Sequence, residues 1–123
     1  MIAFQMSDEQ SNLVALVRDV LEQEVRPLVH EMNKSDQEAF DWRPVEALAR
    51  LNMLAPNIPR KYGGRGLDFL TLALIIEEIA AVSGGLSSCI VGTIHATLPI
   101  LIGAGEEQKQ RFLAPLVTDK PAL

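Results

Sequence analysis

Asn57-Ile58-Pro59-Arg60-Lys61-Tyr62-Gly63-Gly64-Arg65-Gly66-Leu67 is the stretch on which the reading of this chain turns. It lies between two helix-like segments. Pro59 fixes one φ angle, and three glycines in four positions point to backbone conformations that a side chain would forbid. A loop with this much fixed backbone chemistry has a specific shape. Its glycines could also suggest a phosphate cradle. However, Gly63-Gly64-Arg65-Gly66 has neither the Walker spacing nor the spaced dinucleotide fingerprint, and no strand precedes it. A structural turn is the expectation.

Working outward, both flanks read as helix. Downstream, Asp68 is placed to cap a segment reaching Ser83. Leu72, Ile75, Ile76, Ile79 and Ala80 form one face of it. Leu70, Leu74 and Ala81 lie opposite, so burial on two sides is expected. Gly84-Gly85 should break this helix, and Leu86 to Gly103 reads as a still more apolar one, kinked or split at Pro99. A last helix opens at Glu106-Glu107, with Phe112, Leu113 and Leu116 as its apolar side and Pro115 near its end. Thr118-Asp119-Lys120-Pro121 reads as an exit turn.

Upstream, Ser7 with Gln10 three residues on is a capping-box start. Leu13, Leu16, Val17, Val20, Leu21, Val25 and Leu28 then form a helical stripe that Pro27 should kink or end. Asn33 to Asp41 reads as a loop or a short helical piece. Trp42 is expected to anchor packing, Pro44 suits a first helical turn, and Asn52 suits a left-handed cap. No segment alternates with period two. The fold class is therefore all-α, a bundle of about five to six helices, with residues 1–123 as one domain.

The composition narrows the function. The chain has 123 residues, 48% of them apolar, and a formal charge of −5. No face collects enough Lys and Arg to follow a nucleic-acid backbone. The N-terminus lacks a basic stretch followed by an apolar one, so no secretory leader is expected. The single cysteine, Cys89, sits in an apolar run and is expected to be a small buried hydrophobe. With no partner for an internal disulfide, it points to a reducing, cytoplasmic setting. Positions 79 through 105, 27 in all, carry no formal charge, which is long enough to span a bilayer. Ser83, Ser87, Ser88, Thr93, His95, Thr97 and Pro99 interrupt that run. A helix enclosed by other helices, and no membrane span, is the expectation.

Few residues invite chemistry. Glu77 and Glu78 point about 100° apart on a helix and cannot easily share a proton site. No Glu-x-x-His accompanies them, so a solvated or capping role is expected. His30 and His95 are the only histidines and lack the Cys or Asp companions of a metal site. His30 reads as solvent-facing. His95 shares one helical side with Ser88, Val91 and Gly92. That side fits either a packing face with a hydrogen-bonded histidine or the wall of a ligand pocket.

Taken in order, these elements resemble the N-terminal helical domain of the flavin-dependent acyl-CoA dehydrogenases. The resemblance runs over about residues 6 to 123. It is carried by Ser7-Asp8-Glu9-Gln10, Val25-Arg26-Pro27 and Leu51-Asn52-Met53-Leu54, where the family usually has glycine in place of Asn52. It continues through Ile58-Pro59, Tyr62-Gly63-Gly64, Gly66-Leu67 and Glu77-Glu78-Ile79-Ala80. It ends with His95, Pro99, Gly105-Glu106-Glu107-Gln108-Lys109, Arg111-Phe112-Leu113 and Leu116.

The resemblance implies an enzyme that uses FAD to remove two hydrogens from the α and β carbons of an acyl-CoA thioester. It implies a central β domain and a C-terminal helical domain that are absent from this chain, joined to it in cis or in trans. Those parts hold the flavin and the glutamate base, so no catalytic residue and no metal ligand are expected here. No stoichiometric flavin is expected on the chain alone. By similarity, Ser87, Ser88, Val91, Gly92 and His95 form one wall of the acyl pocket. The full enzyme is expected to be a homo-oligomer. Acyl-CoA oxidases and some flavin monooxygenases share the domain and stay open as readings. So does a free-standing helical module that acts by association without catalysis.

Overall fold

The computed structural model describes residues 5–34 and 40–118. Among the described residues the regular structure is helical, with no strand. Helices α1 (Asp8–Val20) and α2 (Arg26–Lys34) are joined without a break by a π-helical turn, Leu21–Val25. Then come α3 (Arg43–Arg50), a 3-10 turn (Arg60–Tyr62), α4 (Phe69–Val82), α5 (Gly84–Gly103) and α6 (Glu106–Leu113). A second 3-10 turn, Ala114–Val117, follows α6. With α1 and α2 counted as one continuous body, the all-α bundle has five helical bodies.

The caps follow from the residues. The Ser7 hydroxyl accepts from the Gln10 amide at 3.1 Å, and the Gln10 side chain accepts from the Ser7 amide at 3.0 Å. Gln10 then donates to the Thr71 hydroxyl at 3.0 Å, which ties α1 to α4. Asp68 caps α4 by accepting from the Thr71 amide at 2.9 Å. These bonds hold its carboxyl below the usual range, the backbone bond from Thr71 first.

Pro27 does not end the first helix. A proline lacks the N–H that its i−4 carbonyl needs and crowds that carbonyl. The turn widens immediately before it, and the Arg26 amide donates to the Leu21 carbonyl five residues back. The wide turn lets Leu21 and Val25 stay buried on one side while the chain passes the proline.

The main core joins Val14, Val17, Leu21 and Val25 to Val45 and Leu48, and to Leu72, Ile75, Ile79, Leu86, Ile90 and Ile94. Each fully buried aliphatic side chain here contributes about 2 kcal/mol. A second, smaller cluster contains Ala55, Ile58, Tyr62 and Leu113, with Ile100, Leu101, Leu116 and Val117 packed around it. The carboxylate of Glu78 takes two hydrogen bonds from Arg18, at 2.6 and 2.8 Å, and so clamps α4 to α1.

Several expectations are corrected. Helix α4 buries one face only: Leu72, Ile75 and Ile79 are inside, Leu74 is half-buried, and Leu70 and Ala81 are exposed. The break after α4 falls at Ser83, whose backbone is extended, and Gly84 and Gly85 are the first residues of α5. Pro99 lies inside α5 without splitting it. Phe112 is exposed, and Leu113 is the buried side chain of α6. Asn33 and Lys34 are helical. Residues 35–39, and 119–121 of the exit turn, lie outside the described residues.

Candidate functional site

The glycine loop is a structural joint. Gly63 and Gly66 have φ angles of +91° and +64°, the left-handed region that suits glycine. Gly64 is constrained differently: a Cβ there would lie 1.9 Å from the Ile58 carbonyl oxygen. The loop amides point inward. Gly63 donates to Arg60 at 2.9 Å, Gly64 to Pro59 at 3.2 Å and Gly66 to Ile58 at 2.8 Å. Two of its cations are tied to protein groups. Arg65 donates to the Leu51 carbonyl at 2.7 Å, and Lys61 meets Glu106 at 3.2 Å. Asn52, left-handed at φ 54°, donates to the Gly63 carbonyl at 2.8 Å. A loop with its amides turned inward does not fit a dinucleotide diphosphate.

Helix α5 is where the molecule is open. Ser83 caps it, accepting from the Leu86 amide at 3.2 Å. Leu86, Ser87, Ile90, Ile94 and Thr97 turn toward the core. Among the described residues the expected enclosure by other helices is incomplete. Only 28% of the most apolar 18-residue window of α5 is buried, since α4 and its neighbours cover one side. By length and composition alone, α5 is long and apolar enough to cross a membrane.

The five residues singled out on α5 divide. Ser88, Gly92 and His95 lie together on the exposed side, and Val91 is half-buried at its edge. Ser87 is buried on the core side, where its hydroxyl donates to the Gly84 carbonyl at 2.9 Å. The Ser88 hydroxyl donates to the same carbonyl at 2.9 Å. The exposed wall thus offers an imidazole, a methyl-bearing edge and an open position. A Cβ at Gly92 would meet nothing within 4 Å.

Beside this wall runs an apolar cleft of about 550 Å³, lined along α5 by Cys89, Gly92, Thr93 and Ala96. Its other sides are Phe40 and Trp42, Val45 with Leu54, and Leu116. Two expectations change here. Cys89 is exposed, not buried, because its direction from the α5 axis falls on the cleft side and not the core side. Trp42 is an exposed lip residue, packed edge-on against Phe40 at 4.7 Å between ring centroids. The spacing of Cys89, Gly92, Thr93 and Ala96 was the available signal, since i, i+3, i+4 and i+7 share a helix face. The aromatic lip left no such pattern.

The remaining candidates are ordinary. His30 is exposed, Glu77 is exposed, and Glu78 serves the clamp to α1. Among the described residues no three His, Cys, Asp or Glu side chains converge as a metal site.

The structure defines a small helical domain with one long uncharged helix exposed along one side. The chain matches the family model described as acyl-CoA dehydrogenase, N-terminal domain, over residues 7–120, and it belongs to that family. It is 32% identical over 108 residues to cyclohex-1-ene-1-carbonyl-CoA dehydrogenase of Geobacter metallireducens, covering 88% of this chain and 28% of that protein. It is 29% identical over 117 residues to the human mitochondrial short-chain specific acyl-CoA dehydrogenase, covering 93% and 27%. Its fold superposes on butyryl-CoA dehydrogenase from Megasphaera elsdenii with a TM-score of 0.80 at 29% identity, covering 96% of this chain and 31% of that one. The chain therefore spans under a third of the length of these relatives.

Proposed function

We propose that this chain serves as the N-terminal helical part of a flavin-dependent acyl-CoA dehydrogenase and supplies one wall of its acyl pocket. The observation that carries the reading is α5, a helix of 20 residues with no formal charge and half of its residues exposed. An acyl chain needs a concave apolar slot with few polar groups. Of the five residues, Gly92 lines the apolar cleft, Ser88, Val91 and His95 flank it on the same helix, and Ser87 supports the first turn from the core side. Gly92 leaves room for a chain to lie close to the helix, and Val91 and His95 limit its length or shape.

The protein parts that would complete this pocket correspond to the remaining two thirds of the relatives' length. The family resemblance implies that FAD contacts and the proton-abstracting glutamate lie in those parts, in cis or in trans, and the inward-turned amides of the glycine loop agree with this for the diphosphate. Electron chemistry comes from the flavin when it is bound there; this chain's residues bind and shape. A reducing, cytoplasmic location and a homo-oligomeric full enzyme complete the reading. The oxidase and monooxygenase versions share this domain and differ beyond it.

The test is made on the assembled enzyme. Val91→Phe is expected to lower turnover of long acyl-CoAs at least about tenfold more than that of short ones. An unchanged ratio of rates across chain lengths would remove Val91 from the pocket. The purified 123-residue chain is expected to be colourless, and one flavin per chain in its visible spectrum would overturn the assignment of FAD to other parts. Failure to gain activity with any flavin-binding partner would favour a free-standing helical module.

A further inference from the structure

We infer that residues 106–117, α6 with its trailing 3-10 turn, form a strap that undocks as one unit while the rest of the domain stays folded, and that undocking withdraws Leu116 from the lining of the apolar cleft. The two hydrophobic clusters carry the argument. None of the main core's residues comes from 106–117. The strap instead packs into the small second cluster, where Leu113 is its only buried side chain and Leu116 and Val117 are half-buried.

Its polar anchor is equally local. The Tyr62 hydroxyl donates to the Glu106 carboxylate at 2.8 Å, and Lys61 approaches it at 3.2 and 3.3 Å. The Lys61–Glu106 pair is largely in water, with side chains 60% and 69% exposed, so it holds the strap weakly. At the other end, Val117 closes on the glycine loop, where a Cβ on Gly63 would sit 3.0 Å from it. The strap is attached through Ala104-Gly105, both extended, so it can swing about that joint, uncovering Ile100 and Leu101 at the end of α5. Elements with few buried apolar contacts open at lower free energy than the core around them. Because Leu116 lines the cleft together with Trp42, opening changes the surroundings of the only tryptophan.

Hydrogen exchange and Trp42 fluorescence of the 123-residue chain test this. In the wild type, the amides of residues 110–114 should share one protection level, at least about tenfold below that of 75–79 in α4. Leu113→Ala should lower strap protection by about a further tenfold or more and shift Trp42 emission to the red, with α4 protection held within about twofold. Tyr62→Phe removes only the hydroxyl and should act in the same direction more weakly. Equal protection of strap and α4, a smooth gradient from the chain end in place of one shared level, or an equal loss in both under Tyr62→Phe would overturn the proposal.

Discussion

The glycine loop and the open side of α5 are both rich in small residues, yet they behave oppositely. In the loop, small residues exist because there is no space or no permitted backbone angle. Gly64 presses on the Ile58 carbonyl, and Gly63 and Gly66 sit in the left-handed region. On α5, Gly92 faces open space and has ordinary helical neighbours. The first pattern serves the fold of this chain. The second leaves a surface that the chain itself does not use. A glycine count cannot tell these apart, but a single added methyl group can.

Gly64→Ala should have the largest effect. Its Cβ would lie 1.9 Å from a backbone oxygen, so the loop must move as a whole. A loss above about 3 kcal/mol is expected by thermal melting followed at the helical circular-dichroism band. A melt within about 1 kcal/mol of wild type would show that the loop is adaptable. Gly63→Ala should be milder, about 1 to 2 kcal/mol, since it strains one φ angle and crowds only the end of Val117.

Acid probes two polar anchors, the α1–α4 clamp and the tie between the glycine loop and α6. Arg18 holds the Glu78 carboxyl below its ordinary 4.5, chiefly by direct hydrogen bonds. Tyr62 first, and then Lys61, hold Glu106 below the same value. Both folded pKa values are depressed. Their contribution is therefore complete above about pH 4.5 and is lost as the pH falls through the folded values. The melting temperature should be flat from roughly pH 5.5 to 7 and decline below 4.5. Replacing Arg18 by Gln should make that decline shallower, and an unchanged profile would remove the α1–α4 clamp from the account.

Gly92→Ala should change stability least. An alanine in an open helical position is neutral or stabilising by up to about 1 kcal/mol. In an assembled enzyme the same methyl group would narrow the proposed wall. A variant that is as stable as wild type but turns over bulky acyl-CoAs more slowly would sharpen the contrast between the regions. One that is destabilised by more than about 1 kcal/mol would blur it.

Local rules were legible because they act over a few residues. The Ser7–Gln10 box, the Asp68 cap, the left-handed Asn52 and the Pro44 first turn are where the spacing puts them. Pro27 perturbs the helix without ending it, because a proline's effect depends on whether the preceding turn can widen. Cys89, Trp42, Leu70 and Phe112 were misread for a shared reason. Their hydrophobicity says they prefer burial, but their positions on the helices and the loop point them away from the two core clusters.

The sequence by itself determined the helices, their caps, the shaped joint between α3 and α4 and the resemblance to the family, since each depends on neighbours within a few turns. Only the tertiary structure decided which apolar faces meet and which stay open, because that depends on contacts between residues far apart in the chain. It separated Ser87 from Ser88 across α5, set the aromatic lip beside Gly92 and divided the core into two clusters.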